Sequence, residues 1–197
     1  VGEIFGMRHG VQGLLAEDLV DLRRQPAGLW TRLKEIPSAA LGSSRMKVLD
    51  DHLERMLEIL RAYAVRFFIY IGGEGSASLV HRLVRTAGDR RYELSAIAVP
   101  KTIDNDLAGT DHCPGYPSVA RWLAISVREA GLDSEAIGIV DTVKVIETMG
   151  RDAGWIAAST ALARERAGEA PHLIYLPERA FDPDRVLADV SRVHRER

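Results

Sequence analysis

The sequence contains a single cysteine, Cys113, which excludes an internal disulfide framework. This scarcity is typical of a reducing compartment, so we predict a cytoplasmic protein. No uninterrupted apolar stretch reaches the ~18 residues that a membrane-spanning helix needs. Charge of one sign is not in excess either, because 26 Lys and Arg stand against 28 Asp and Glu, for a formal net charge of -2. These absences argue against a membrane or nucleic-acid partner, and any anion site must depend on a local cluster of charge.

The pattern of apolar residues predicts a globular α/β protein. Hydrophobic residues make up 46% of the chain and charged residues 27%, as in ordinary soluble domains. Strands and helices alternate, which favours parallel sheets with helices on both faces. The predicted strands are 4–5, 65–71, 95–99, 136–146 and 172–176, and the predicted helices are 14–22, 46–60, one after Ser76, 118–130, 155–164 and 185–197.

The most informative stretch is Pro100-Lys101-Thr102-Ile103-Asp104-Asn105-Asp106, which directly follows a predicted strand. In open α/β sheets, ligands bind at the carboxyl ends of strands. Two carboxylates here, Asp104 and Asp106, follow a cation at Lys101 and a hydroxyl at Thr102, which indicates a polar and phosphorylated substrate. Since Asp and Asn are also common turn formers, spacing alone leaves a solvated turn as the alternative.

A second candidate site is the turn Gly72-Gly73-Glu74-Gly75-Ser76, between a predicted strand and the next helix. Strand, glycine turn and helix in this order present backbone N–H groups to phosphate. Glu74 is a candidate ligand for Mg²⁺, which prefers hard oxygen donors. The turn matches neither the Walker loop nor the dinucleotide fingerprint, so by itself it is weak evidence.

Arginines mark two further segments. Gly42-Ser43-Ser44-Arg45 precedes the predicted helix 46–60, so it is either an anion site at a helix start or an ordinary serine cap beside a solvated arginine. Met149-Gly150-Arg151 lies in a second glycine turn, and a surface arginine is the alternative for Arg151. Lys144 is interpreted as a solvated edge lysine and Glu178 as a plain loop residue.

Together, Gly72-Gly73-x-x-Ser76, Pro100–Asp106 and Met149-Gly150-Arg151 resemble the phosphofructokinase family over the whole chain. The segments around Gly42–Arg45, Thr110–Gly115 and Gly150–Ile156 are most similar to its pyrophosphate-dependent branch. The resemblance implies a phosphofructokinase-like α/β fold. It also implies an incomplete one, in which a first strand and later substrate-binding residues lie outside this sequence, so we expect an isolated 197-residue segment to be inactive.

The resemblance further implies transfer of a phosphoryl group to the 1-hydroxyl of fructose 6-phosphate, a step of glycolysis that yields fructose 1,6-bisphosphate. By family role, Asp104 is the general base, Asp106 supports it and the metal site, and Thr102 helps to hold the substrate. Lys101 would act with them. The implied sugar-phosphate site is Met149, Gly150 and Arg151, and the implied donor site is Arg45, Gly73, Glu74, Gly75 and Ser76, with Mg²⁺ as cofactor and Glu74 as its ligand.

The phosphoryl donor is the point on which the residues disagree. Lys101 is typical of pyrophosphate users, where its ammonium group pairs with inorganic phosphate. Gly75 leaves room for the α-phosphate of ATP, where pyrophosphate users usually carry Asp. Glu74 also departs from the family, whose members usually carry Asp or Asn at this position. We favour pyrophosphate over ATP, and a non-catalytic regulatory homologue that binds nucleotide or sugar phosphate is the alternative to an enzyme. A third interpretation is an enzyme for a different sugar phosphate.

The resemblance also suggests a domain organisation. Residues 1–116 are predicted to belong to the donor-binding domain and residues 117–197 to begin the sugar-phosphate-binding domain. Members of the family assemble as dimers or tetramers with sugar sites built partly across subunits, so we expect a homodimer or homotetramer.

Overall fold

The computed structural model describes residues 2–196, and the chain divides into two units. The first ends at Tyr70 and resumes over Gly75–Val99, and the second consists of Ile71–Glu74 and the chain from Pro100 onward. Each unit has its own cluster of buried apolar side chains. The assignment of donor and sugar-phosphate domains to residues 1–116 and 117–197 stays a prediction.

The first unit begins with a small antiparallel hairpin. Strand β1 (Phe5–Met7) pairs with β2 (Leu19–Asp21) around helix α1 (Val11–Leu15). The predicted helix 14–22 is therefore wrong beyond its first residues. The chain turns at Glu17, which has a left-handed φ of 55°, and β1 then offers the ladder of hydrogen bonds that converts the next residues into a strand.

The rest of this unit contains the predicted strand–helix–strand element. Helix α2 (Ala27–Leu33) and helix α3 (Asp50–Ala62) precede β3 (Phe67–Gly72), α4 (Glu74–Asp89) and β4 (Ser95–Pro100). Arg66 O accepts from Ser95 N at 2.9 Å and Gly72 O accepts from Lys101 N at 2.8 Å, so β3 and β4 run parallel. Buried side chains of α3 and α4 form the core of the unit; they include Leu53, Met56, Leu57, Leu60, Leu79, Val80 and Leu83.

The strand pair β3–β4 has one exposed apolar face, which carries Phe67, Ile69 and Ile97. The sequence predicts β3 as a central strand and β4 as a buried one, but among residues 2–196 these strands pair only with each other. The opposite face packs on the core through Phe68. The prediction that both strands are buried is thus correct for the face that contains Phe68 and wrong for the face that carries Phe67, Ile69 and Ile97.

The second unit is mainly helical. Helix α5 (Tyr116–Ala136), helix α6 (Trp155–Ser159), a 3₁₀ helix (Thr160–Ala163) and helix α7 (Pro183–Arg195) follow one another. Leu123 and Val127 of α5 pack against Ile156 and Ala163 in its core. Within the described range 2–196, no helix is long and apolar enough to cross a bilayer.

The strands predicted at 136–146 and 172–176 are absent. Helix α5 runs on to Ala136, and both segments lack regular structure beyond it. Ile139 and Val145 are 100% and 88% exposed, although their β-branched pattern suits a strand. A strand needs a partner for its backbone groups, and the described residues supply none here. Lys144 is also not simply solvated, since its Nζ donates to Ala130 O at 3.1 Å and to Asp133 Oδ2 at 2.9 Å.

Candidate functional site

The carboxyl ends of β3 and β4 bring two of the predicted motifs together. A Cβ atom on Gly73 would lie 3.8 Å from Thr102 Cβ and 3.9 Å from Lys101 O. The contact follows from the parallel pairing of the strands, because both chains leave the sheet at the same edge. Within the second unit, Gly73 and the start of the carboxylate stretch therefore lie side by side.

Asp104 has an unusual environment at this edge. Its backbone N–H donates to Thr102 Oγ1 at 3.2 Å, whereas its side-chain atom Oδ1 is buried and has no hydrogen-bond partner among the described residues. Burying a carboxylate oxygen without a partner is costly, and native proteins pair nearly all such atoms. An orphaned oxygen of this kind is suited to accept a proton or to bind a cation from a ligand.

Asn105 fixes the loop that carries Asp104 and Asp106. It is 6% exposed and has a left-handed φ of 56°. Its side chain donates to Asp111 O at 3.1 Å and accepts from Cys113 N at 2.8 Å. Asn105 was not among the predicted site residues, although an Asn between two carboxylates is a signal for this geometry, because Asn tolerates left-handed φ and bonds to backbone groups.

The same loop is anchored to the core of the second unit. Ile103 packs against the core cluster that contains Leu123 and Ile156, and its Cγ2 would lie 3.1 Å from a Cβ atom on Gly115. The Tyr116 hydroxyl donates to Trp155 O at 3.3 Å. Asp104 thus stands beside a packed side chain on a fixed backbone, which is what a positioned catalytic group requires.

A cavity of about 600 Å³ lies between the carboxylate loop and the second glycine turn. The cavity brings Asp106 onto the same surface as Asp152, so residues almost fifty positions apart in sequence share one site. It is large enough for a small polar ligand. Its lining residues are Asn105, Asp106, Leu107, Ala108, Thr110, Asp111, Asp152, Ala153 and Trp155.

The turn that includes Gly150 is tight and presents Arg151 to solvent. Gly150 has a φ of 104°, and a Cβ atom there would clash with Ala153 O. The Arg151 side chain is 91% exposed and its Nε forms a 3.0 Å ion pair with Asp152. Exposed ion pairs of this kind contribute little, so loss of this partner would cost Arg151 little.

This geometry predicts the effect of Gly150→Ala. The variant is expected to lower the free energy of unfolding by at least about 1 kcal/mol, because an L-residue at this φ is strained and its methyl group meets a carbonyl oxygen. Urea unfolding measures the change. Gly88→Ala is the matched control, since a Cβ there meets nothing within 4 Å and alanine suits helix α4 better. Equal stability of the two variants would contradict the assigned strain.

The predicted donor-binding residues fall in different places. Gly73 and Glu74 belong to the second unit, whereas Arg45, Gly75 and Ser76 belong to the first. Glu74 is an exposed residue at the start of α4. A Cβ atom on Gly75 would meet nothing within 4 Å, so that position is spacious.

Arg45 does not sit at a helix start. Helix α3 begins at Asp50, and the backbone N–H of Leu49 donates to His52 Nδ1 at 3.1 Å. The prediction that Ser43 or Ser44 caps this helix is therefore wrong; Ser44 instead accepts from the backbone N–H of Met46 at 3.1 Å. Arg45 therefore lies at no helix start that could bind an anion, and a role for Arg45 depends on the family resemblance alone.

Glu178 has a partner that the sequence analysis missed. Its Oε1 accepts from the backbone N–H of Gly154 at 2.7 Å. The interpretation of Glu178 as a plain loop residue is wrong, and no local signal could correct it because the two residues are 24 positions apart.

An α/β protein with carboxylates and a glycine turn at one edge of a parallel strand pair suggests a phosphate-handling class, and the comparisons specify it. The Phosphofructokinase family model matches residues 2–197. The chain belongs to the phosphofructokinase family. Both the resemblance and the α/β fold class are thereby confirmed.

The individual relatives are similar over the whole chain but are longer. Identity is 44% over 197 residues to a protein of Xanthomonas campestris pv. campestris (strain B100) named pyrophosphate–fructose 6-phosphate 1-phosphotransferase, covering 97% of this chain and 47% of that protein. It is 34% to the ATP-dependent 6-phosphofructokinase 3 of Streptomyces coelicolor, covering 96% of this chain and 51% of that protein. This chain therefore spans about half the length of the curated relatives it matches.

A solved structure gives the same family assignment from the fold. The crystal structure of a pyrophosphate-dependent phosphofructokinase from Marinobacter aquaeolei superimposes with a TM-score of 0.86 at 38% identity, covering 100% of this chain and 50% of that one. The partial α/β fold described above is thus a phosphofructokinase fold.

Proposed function

We propose that the full-length protein transfers a phosphoryl group from pyrophosphate to the 1-hydroxyl of fructose 6-phosphate. The observation that carries the proposal is the buried and unpartnered Oδ1 of Asp104. A general base must be able to accept the substrate proton when the hydroxyl arrives, and no protein hydrogen bond to Oδ1 competes for that proton. The relative from Xanthomonas, whose name states this reaction, supports the choice of substrates.

In this proposal each residue performs a step that phosphoryl transfer needs. Asp104 takes the proton of the 1-hydroxyl, and Thr102 holds the backbone of Asp104 through the hydrogen bond to its N–H. Arg151 leaves its exposed pairing with Asp152 and binds the sugar phosphate bidentately. Catalysis otherwise consists of positioning and neutralising the phosphate oxygens. Met149 and Gly150 complete the sugar-phosphate side of the site, and Gly73, Gly75, Ser76 and Arg45 the donor side.

Magnesium is part of the proposal. Mg²⁺ keeps several waters and is held by one or two carboxylates together with substrate phosphates. The described residues contain no group of three or more His, Cys, Asp or Glu side chains that could cage a metal, which fits an ion held chiefly by the donor. Glu74 would be its protein ligand with support from Asp106, and the ion would supply neutralisation of phosphate charge.

The donor is tested by an assay that couples fructose 1,6-bisphosphate to NADH oxidation, with pyrophosphate or ATP as the variable. We expect turnover with pyrophosphate. Turnover with ATP alone would assign the donor to the second candidate, which the open space at Gly75 favours. Binding of fructose 6-phosphate without turnover with either donor would instead identify a regulatory homologue. Absence of fructose 6-phosphate binding would point to another sugar phosphate.

Lys101 provides a sharper test of the pyrophosphate site. Lys101→Ala is expected to raise the KM for pyrophosphate roughly tenfold, because a charge-assisted contact to phosphate is lost. The KM for fructose 6-phosphate should change little. The backbone N–H of Lys101, which donates to Gly72 O, is unaffected by the change. Lys101→Arg should retain most of the affinity.

A matched control is Lys144→Ala, which removes a lysine paired with Asp133 instead. An unchanged KM for pyrophosphate in Lys101→Ala would show that the ammonium group does not contact the donor. Oligomeric assembly as a homodimer or homotetramer and cytoplasmic localisation stay predictions.

A further inference from the structure

We propose that Glu178 is a positioning residue that fixes the turn Met149–Gly154, and so sets the affinity for the sugar phosphate without touching it; this inference rests on the proposed function of Arg151. The turn is defined by Gly150 at one end and Gly154 at the other. Glu178 reaches it from a segment that follows α6 in sequence.

Glu178 lies close to Gly154 both at its backbone N–H and at the position that a Cβ atom would occupy. Glu178 Oε1 accepts from Gly154 N at 2.7 Å. A Cβ atom on Gly154 would lie 2.6 Å from Glu178 Oε2 and 3.0 Å from Leu176 Cδ2. The carboxylate and the leucine therefore lie directly against a buried backbone, which leaves the turn no room to move toward them.

This contact replaces a cap that helix α6 lacks. Gly154 is the N-cap residue of α6, and no side chain of its own sequence caps the helix start. In a capping box, a carboxylate three residues into the helix accepts from the N-cap N–H. Glu178 makes the equivalent bond from 24 positions away, and a carboxylate acceptor makes it about twice as strong as a neutral one.

Both ends of the turn are thereby held. Ile156, one residue into α6 beyond Trp155, is 1% exposed in the core, and Gly150 closes the other end against Ala153 O. Arg151 lies in the few residues between these two constraints. Releasing the Gly154 end allows Arg151 a wider range of positions, and a displacement of about 1 Å is enough to weaken a bidentate phosphate contact greatly.

The test compares Glu178→Ala with Glu178→Gln in the full-length protein. Glu178→Ala should raise the KM for fructose 6-phosphate roughly tenfold, since the hydrogen bond to a charged acceptor is lost. The KM for pyrophosphate should change less than about twofold. Glu178→Gln should lie between wild type and Glu178→Ala, because its amide oxygen still accepts from Gly154 N but carries no charge.

Glu169→Ala is the matched control. The backbone N–H groups of Glu165 and Arg166 donate to Glu169 Oε2 at 2.7 and 2.9 Å and lower the pKa of this carboxyl. The variant removes a carboxylate that binds backbone in the same unit but does not contact the turn. Its KM for fructose 6-phosphate should stay at the wild-type value.

A second readout, amide hydrogen exchange at Gly154, does not depend on activity. Exchange should be fastest in Glu178→Ala and only modestly faster than wild type in Glu178→Gln. If the wild-type protein fails to use fructose 6-phosphate, the proposed function falls, and exchange still decides whether Glu178 holds the turn. Faster exchange with unchanged KM values would overturn the inference. So would an equal rise of both KM values, or a loss in Glu178→Gln as large as in Glu178→Ala.

Discussion

Asp104→Asn is expected to lower kcat for fructose 6-phosphate phosphorylation by about 10²–10⁴-fold, the usual contribution of a positioned general base. The KM values should change little, because asparagine has the same shape and the turn is held by other groups. The hydrogen bond from Asp104 to Thr102 Oγ1 uses the backbone N–H, which the substitution retains. The side chain of the neighbouring Asn105 also continues to hold the loop through its bonds to Asp111 O and Cys113 N. Steady-state kinetics of the full-length protein measure the effect.

The free energy of unfolding distinguishes loss of the general base from damage to the fold. Because Oδ1 of Asp104 has no protein partner, the substitution breaks no hydrogen bond and removes a charge from a costly site. The free energy of unfolding should therefore be unchanged or higher, although activity is lost. Asp106→Asn is the graded comparison, since Asp106 is exposed and should cost less in kcat. A kcat for Asp104→Asn within threefold of wild type would exclude Asp104 as the base.

Local patterns in the sequence were sufficient for the part of the fold that carries these residues. The β-branched run 65–71, the glycine turn and the apolar run 95–99 predict the parallel unit β3–α4–β4, and the structure contains it. Each of these elements is specified by residues adjacent in sequence. The carboxylate stretch follows at the end of β4 for the same reason.

The wrong strand predictions share a physical cause, which is dependence on distant partners. Residues 136–146 have strand-like composition but find no strand to pair with among the described residues, whereas Leu19–Asp21 becomes a strand because β1 lies beside it. β-propensity measures how well a residue fits a sheet that already exists. Composition alone therefore could not distinguish the two segments.

The candidate site likewise has features that the local sequence specifies and features that depend on distant residues. The types of residue at Thr102, Asp104 and Arg151 indicated phosphate chemistry, but their sequence could not reveal that one carboxylate oxygen of Asp104 is orphaned. Nor could it show that the cavity joins the 105–111 loop to the 152–155 turn. Both facts depend on tertiary packing, and in the core beside these loops Ile103 packs with Leu123 of α5 and Ile156 of α6.

Asn105→Ala is the substitution expected to damage both stability and activity. It removes the hydrogen bonds to Asp111 O and Cys113 N and leaves the N–H of the buried Cys113 unpaired, at a cost of about 1–3 kcal/mol. Alanine also adopts the φ of 56° at this position only with strain. We expect kcat to fall roughly 10²-fold, because Asp104 is no longer held at the position of the reacting hydroxyl.

Asn105→Gly and Asn105→Asp divide this effect into its causes. Glycine accepts the left-handed φ without strain. The difference in the free energy of unfolding between the Ala and Gly variants therefore measures the backbone strain. The loss of stability that both variants show relative to wild type measures the contribution of the hydrogen bonds. Aspartate keeps the acceptor for Cys113 N and loses the donor to Asp111 O, and it should fall between wild type and alanine. Urea unfolding and kcat together decide the matter. If Asn105→Gly retained wild-type kcat, the two hydrogen bonds would serve stability alone, and Asp104 would owe its position to Ile103, which packs in the core on the other side.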